Sequence, residues 1–338
     1  MFLYKITKKG GYVSVKAKKV LKIISIILLV AVLIVGGYVA YVMIDYHRIE
    51  DNQALQINDV TSESALVGQE YKAISYNIGF AAYTPDFGFF MDGGTKSRAN
   101  SEESVKNVID GIGDFLKSEN PDIILIEEVD KKATRSYHYD QEKALRGKLD
   151  GYDSMFTVNF DSPYLFYPIT KPHGKSYAGM LTLSKFNIES GLRRSLPIEN
   201  GFMKFVDLDR CYSVSRITVE NGKELVLYTL HLSAYTSDGT IATDQLKMLI
   251  SDMQAEYEKG NYCIAGGIST RTCLAIRARF SELTAQIILG RNLLIQNCLM
   301  EQISKLLLLT MRKIRFPHAE MPTVRITTSS LYLRLTDL

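Results

Sequence analysis

Tryptophan is missing altogether from these 338 residues. Cysteine is scarce: four residues, Cys211, Cys263, Cys273 and Cys298, which fall at no metal-ligand spacing and build no disulfide framework. Charge of one sign is also lacking, since 40 Lys and Arg against 37 Asp and Glu leave a formal net charge of +3. That balance singles out no class of partner. Neither an internal repeat nor a low-complexity tract is present. What remains is a composition ordinary for a globular protein, 46% hydrophobic and 23% charged.

One stretch is not ordinary. From Val20 to Ile44 the chain reads VLKIISIILLVAVLIVGGYVAYVMI, with Lys22 its only charge. About 20 apolar residues rising ~1.5 Å each span a bilayer core. No polar face suits it to a soluble core, and no clear small-x-small cleavage site follows it. Lys5, Lys8, Lys9, Lys16, Lys18 and Lys19 precede the span, and Asp45, Glu50 and Asp51 follow it. This asymmetry predicts a single-pass cell-membrane protein with its N-terminus in the cytoplasm and the bulk of the chain outside. The expected organisation is a basic tail (1–19), a transmembrane helix (20–44), a polar stalk (45–70) and an outer domain from residue 71.

In the outer domain, runs of strand length alternate with helical stretches. SEESVKNVIDGIGDFLKSEN, from Ser101, reads as a helix: Ser101 caps it, Glu102 and Glu103 suit its positive end, and Val105, Val108, Ile109, Ile112, Phe115 and Leu116 form an apolar face. YKAISYNIGF, DIILIEEVD, SYAGMLTLSKF, CYSVSRITVE, KELVLYTLHLSAY and NYCIAGG read as strands, with a hairpin signal at Asn221-Gly222. TDQLKMLISDMQAEYEKG reads as a second helix. The order predicts an α/β fold: two stacked sheets flanked by helices, preceded by the membrane helix.

Chemically capable side chains gather at strand ends: Asn77 after AISY, Glu128 after IILIE, His231 after VLYTL. A carboxylate and an amide oxygen are hard ligands suited to magnesium, and a histidine beside them can move protons. Singly, each also reads as a turn residue, a solvated acid or a hydrogen-bonded core histidine.

Together, SYNI, PDIILIEEVD, GMLTLSKF, LHLSAY and IAGG resemble successive signposts of the endonuclease/exonuclease/phosphatase family, and SYNIGFAAYTPDFGFFMDGGTKSRA with EEVDKKATRSYHYD looks like a bacterial membrane-anchored subgroup of it. The likeness covers residues 71–267. It implies that Asn77 and Glu128 bind magnesium, or manganese in its place, that His231 acts at the phosphate, and that Arg210 contacts substrate. Glu127 stands where the family commonly has glutamine, and Thr229 where many members have asparagine. Relatives cut DNA, RNA, sphingolipid head groups and inositol phosphates. The implied partners are therefore the bilayer and a phosphate ester, nucleic acid or lipid head group, with no obligate protein partner. Lys131, Lys132, Arg135, Lys171, His173 and Lys175 are candidates for a basic groove.

The family pattern stops at Gly266-Gly267. Asp-Phe-Asn should follow, and later Ser-Asp-His; Ile268-Ser269-Thr270 stands there instead, and the tail to Leu338 lacks both motifs. Written as GGG ATT TCA AC, Gly267 to Thr270 read from the third base gives GAT TTC AAC, Asp-Phe-Asn. The same shifted frame permits Thr-Asp-Gly-Thr-Asp-Tyr-Thr-Trp-Ala-Gln-Pro across Glu282 to Leu294, and Arg-Asn-Ala-Asp-Arg-Pro-Tyr from His318. A lost base near Gly267 would explain these islands and the missing tryptophan. Residues 268–338 are then expected not to fold natively, leaving the chain as written inactive. Two functions follow as expectations: a metal-dependent phosphoesterase whose intact frame exists in the organism, or a truncated, non-catalytic membrane protein.

Overall fold

The computed structural model describes residues 15–233, 240–269, 272–279, 284–289 and 328–334. Its chain divides into two units, Met1–His47 and Arg48–Leu338. The first contains helix α1, Val15–Asp45. At ~1.5 Å per residue, its 31 residues exceed the ~30 Å of a bilayer core. The helix is thus long and apolar enough to cross a membrane, a property that signal sequences share.

The second unit opens with short strands β1 (Gln53–Ala54) and β2 (Ile57–Asn58) and the longer β3 (Glu70–Asn77). Helix α2 (Glu102–Glu119), strand β4 (Ile123–Ala133) and helix α3 (Gln141–Lys148) follow. Then come β5 (Asp153–Asp161), β6 (Ser176–Ser184), β7 (Ile188–Ser195), β8 (Cys211–Thr218) and β9 (Glu224–His231). Helix α4 (Thr240–Glu258) leads to β10 (Tyr262–Ser269), β11 (Thr272–Arg279), β12 (Thr284–Leu289) and β13 (Thr328–Arg334). One sheet has the order β1-β7-β8-β9-β10-β11-β12, the other β13-β3-β4-β6-β5-β2. Both are mixed: β3 pairs with β4, and β9 with β10, in parallel, while their other neighbours run antiparallel.

Strand alternation builds three apolar layers. Ala73, Ile123 and Leu125 meet Ile217, Leu225, Leu227 and Ile264 between the sheets. The opposite face of the β3–β4 sheet, with Ile74, Tyr76, Ile124 and Ile126, packs on Val105, Ile109, Ile112 and Leu116 of α2. Val226, Tyr228 and Leu230 pack on Leu246, Leu249 and Met253 of α4. Strands covered on both faces read as continuous apolar runs, as these do. The α2 face forms as its spacing predicts. Ser101 Oγ accepts from Ser104 N at 3.0 Å, and Asn120 closes the helix in the left-handed region at φ 46. Each such buried aliphatic side chain contributes ~1.5–3 kcal/mol. The Asn221-Gly222 hairpin also forms, with Gly222 at φ 77 joining β8 to β9.

One region differs from expectation. Residues 45–70 are not a free stalk. Arg48 Nη2 donates to Leu196 O at 2.5 Å, β1 pairs with β7, and β2 pairs with β5. Asp153 Oδ1 accepts from Val60 N and Thr61 N at 2.7 and 2.9 Å, and buried Ala65 bridges to Val219. Strands two residues long carry no readable period, so this segment's polarity hid its pairing.

In the tail, the described portions are strands: β11 and β12 extend one sheet, and β13 pairs with β3 along the other. An open sheet edge presents unpaired N–H and C=O groups to any extended segment, whatever its side chains. The expectation for the rest of 268–338 lies outside the described residues.

Candidate active site

Alternation along β4 sends Ile123, Leu125 and Glu127 into the space between the sheets. The next residue should point back toward α2. It does not, because the β4–β6 register slips between Ile126 and Val129, and Glu128 takes φ 56 inside that bulge. A bulge re-aims a side chain, and a glutamate at positive φ is uncommon enough to signal a constrained position. The two neighbouring carboxylates therefore occupy different places. Glu127 is fully buried, with Ser75 Oγ donating to Oε1 at 3.3 Å and no partner for Oε2. Burial pushes its pKa well above the usual carboxylate range. Glu128 is a quarter exposed.

Asn77, at the end of β3, locks onto Glu128. Its Nδ2 donates to Glu128 Oε1 at 2.8 Å, and its Oδ1 accepts from Gly79 N at 2.8 Å. His231, at the end of β9 on the facing sheet, brings Nε2 to 3.7 Å from the same Glu128 oxygen. The structure thus brings Asn77, Glu128 and His231 together from three strands of two sheets. Burial raises the Glu128 pKa, against the opposing pull of Arg135, the Asn77 amide and Arg210. His231 is held well below the ordinary histidine range, by burial first and by Arg210 and Arg135 next. It is a neutral imidazole at neutral pH.

Arg210 lies just before β8 and is buried. Its Nη1 donates to Leu232 O at 3.0 Å, Nη2 reaches Asp207 Oδ1 at 3.5 Å, and Nε has no partner. Its positive charge acts on both Glu128 and His231.

Three features were not legible in the sequence. Asn159, buried on β5, places Nδ2 3.3 Å from His231 Nδ1. With that amide nitrogen as donor, Nδ1 accepts and the ring proton sits on Nε2, facing Glu128. Thr229, where an asparagine was expected, instead pairs with Thr182 at 2.6 Å and ties the two sheets together. The amide that orients the histidine comes from β5. Third, Arg135 forms a bidentate ion pair with buried Asp130, at 2.8 and 3.0 Å, and stacks 4.1 Å from the Phe80 ring. It and His173 are buried and Lys131 is paired with Glu142, so these three form no open basic groove.

Among the described residues no group of three or more His, Cys, Asp and Glu converges as a metal cluster. Asn77 here turns its amide nitrogen to Glu128 and its oxygen to Gly79 N, so the two residues form a hard-oxygen pair only with the amide turned over. Such a pair suits magnesium, which takes one or two protein ligands and completes its shell with water and substrate oxygens.

Residues 74–267 match the model of the Endonuclease/Exonuclease/phosphatase family. Among solved structures, the chain resembles an endonuclease/exonuclease/phosphatase from Beutenbergia cavernae DSM 12333, at 20% identity and TM-score 0.43, over 58% of this chain and 46% of that one. It also resembles ANGEL2, a 2',3'-cyclic phosphatase, at 15% identity and TM-score 0.41, over 66% and 56%. A third is TDP2 from C. elegans, at 18% identity and TM-score 0.36, over 60% and 48%. The chain spans about half the length of these structures. No curated protein matches it.

Proposed function

Because the chain belongs to the endonuclease/exonuclease/phosphatase family, we propose that it descends from, and with an intact frame acts as, a membrane-anchored, magnesium-dependent phosphoesterase. The observation that carries this reading is the meeting of Asn77, Glu128 and His231 around one carboxylate oxygen. Glu128 and Asn77 would hold the magnesium ion, which when bound polarises a phosphoryl oxygen and stabilises the charge that develops there. The chain's own groups do the rest. His231, its proton on Nε2, donates a hydrogen bond to a phosphoryl oxygen. Asn159 keeps the ring in that tautomer. Arg210 adds a fixed positive charge at the phosphate. Glu127, uncharged when buried, sits behind the bulge at the position where the family commonly has glutamine.

The anchor is α1, with the lysine-rich N-terminus in the cytoplasm and the catalytic unit outside. Protease added to intact cells should remove the unit after Glu50; protection of that unit would refute the orientation. The substrate is a phosphodiester or phosphomonoester, with nucleic acid or lipid head groups favoured by an outward-facing anchor.

A second reading is favoured by one observation: Ile268-Ser269-Thr270 stands where water activation requires Asp-Phe-Asn. On that reading the chain as written is a non-catalytic membrane protein. Resequencing the codons for Gly266 to Thr270 tests the lost base directly. Purified chains with and without the restored base, assayed on a chromogenic phosphodiester with magnesium, separate the two functions. Equal turnover by both would sink the frameshift argument.

A further inference from the structure

Between β5 and β6 the chain makes a hairpin, PYLFYPITKPHGK, from Pro163 to Lys175. Its tip turns apolar groups outward: Phe166 is 55% exposed, Tyr167 67% and Ile169 87%. Met91, 55% exposed, follows Phe90, whose ring lies 5.6 Å from that of Tyr167. A contiguous apolar surface of this kind calls for a covering partner. The stem is rigid. Leu165 and Gly174 exchange backbone hydrogen bonds at 3.1 and 3.0 Å, and Arg98 Nε donates to Pro172 O at 2.5 Å. Ser97 Oγ also donates to Lys171 O. At Gly174, φ is 82 and an added Cβ would lie 2.4 Å from Thr134, so only glycine closes this stem. Buried His173 packs its ring against Phe89 and Phe90. The exposed side chains are therefore presented by a braced scaffold rather than by a loose loop.

We propose that this hairpin tip, with Met91, inserts into the surface of the bilayer that α1 crosses. The inference rests on the anchor reading above. Three observations select lipid as the occupant. Only Tyr46 and His47 separate the end of α1 from Arg48, where the second unit begins. So short a link cannot carry the unit away from a bilayer holding α1. The hairpin mixes aromatic residues with exposed Lys171 and Lys175 and contains no carboxylate. Amphipathic aromatics beside lysines are the side chains that sit at a lipid head-group boundary.

The absence of tryptophan makes the test direct. Single variants Phe166→Trp and Ile169→Trp each carry the chain's only tryptophan, as does Leu29→Trp within α1. The full chain of each is reconstituted into phosphatidylcholine–phosphatidylglycerol vesicles with bromines at defined acyl depths. Expected for Phe166→Trp and Ile169→Trp are blue-shifted emission and at least twofold quenching by the shallowest brominated lipid, with shielding from aqueous acrylamide. Leu29→Trp should be quenched most by deep bromines. Water-like emission and full acrylamide access at 166 and 169, with Leu29→Trp still quenched, would overturn the docking and leave the anchor standing. The hairpin would then serve a protein or another soluble partner. No bromine quenching at any of the three positions would overturn the anchor and the docking together.

Discussion

The two sheets present their functional groups in opposite ways. On the β3–β4 sheet, Glu128 reaches the site only because a bulge and a positive φ turn it out of the alternation. On the β9 sheet, His231 arrives by plain alternation, in the inward series of Leu225, Leu227 and Thr229, and burial keeps it neutral. One group is delivered by backbone geometry, the other by register and desolvation. A carboxylate needs partial exposure to take a cation, whereas burial lowers the imidazole's affinity for a proton.

Substitutions in the base-restored chain can break this contrast. Glu128→Gln should cost the most: magnesium-dependent turnover should fall by ~10³-fold or more, about 4 kcal/mol in the barrier. His231→Ala should lower kcat by ~10²-fold while leaving the magnesium concentration for half-maximal rate in place. If Glu128→Gln retains near wild-type activity, the bulge serves structure alone. Next is the layer that supports the bulge. Ile109→Ala on α2 empties a fully buried site and should destabilise the domain by ~2–5 kcal/mol in denaturant unfolding, because neighbours relax only partly into the cavity. A loss under 1 kcal/mol would mean that α2 is not integral to this layer.

Asn159→Ala sharpens the other half. It removes the group that sets the His231 tautomer and should slow turnover by about tenfold, ~1.4 kcal/mol, with magnesium affinity unchanged. A rate equal to wild type would show that the ring orients itself. A pH-dependent effect lies outside both sheets. Burial first, then Arg135, lowers the His173 pKa to about 3, against the Ser97 carbonyl, which raises it; Arg98 adds a further lowering. The folded state thus disfavours its proton. Stability is fully present above the unfolded value near 6.5 and is lost as pH falls below it, by up to ~1.4 kcal/mol per pH unit until the folded pKa is reached. Thermal unfolding from pH 8 to 4.5 should show this slope, and His173→Gln should flatten it. An unchanged slope in that variant would assign the acid sensitivity elsewhere.

Much of this was legible before any coordinates. The α2 cap and face, the strand runs and the hairpin at Asn221-Gly222 follow from local spacing, since each depends on neighbours within a few residues. Asn77, Glu128 and His231 were picked out as candidates because strand ends are where such folds expose side chains. The segment 48–65 was not, since its pairing partners lie more than 80 residues away, at Asp153, Leu192 and Arg193. Nor was Asn159, whose role exists only where β5 and β9 face each other.

By itself, the sequence determined the long apolar N-terminal helix, the alternation that makes two sheets, and the identities of one carboxylate, one amide and one imidazole at strand ends. It also recorded, in Ile268-Ser269-Thr270, a break from the family pattern. The resemblance pointed to Glu128 rather than Glu127; only the tertiary structure shows one turned toward His231 and the other sealed behind it. The physical reason is that both carboxylates share one local pattern. The bulge that separates them arises from the pairing of β4 with β6, some fifty residues later in the chain.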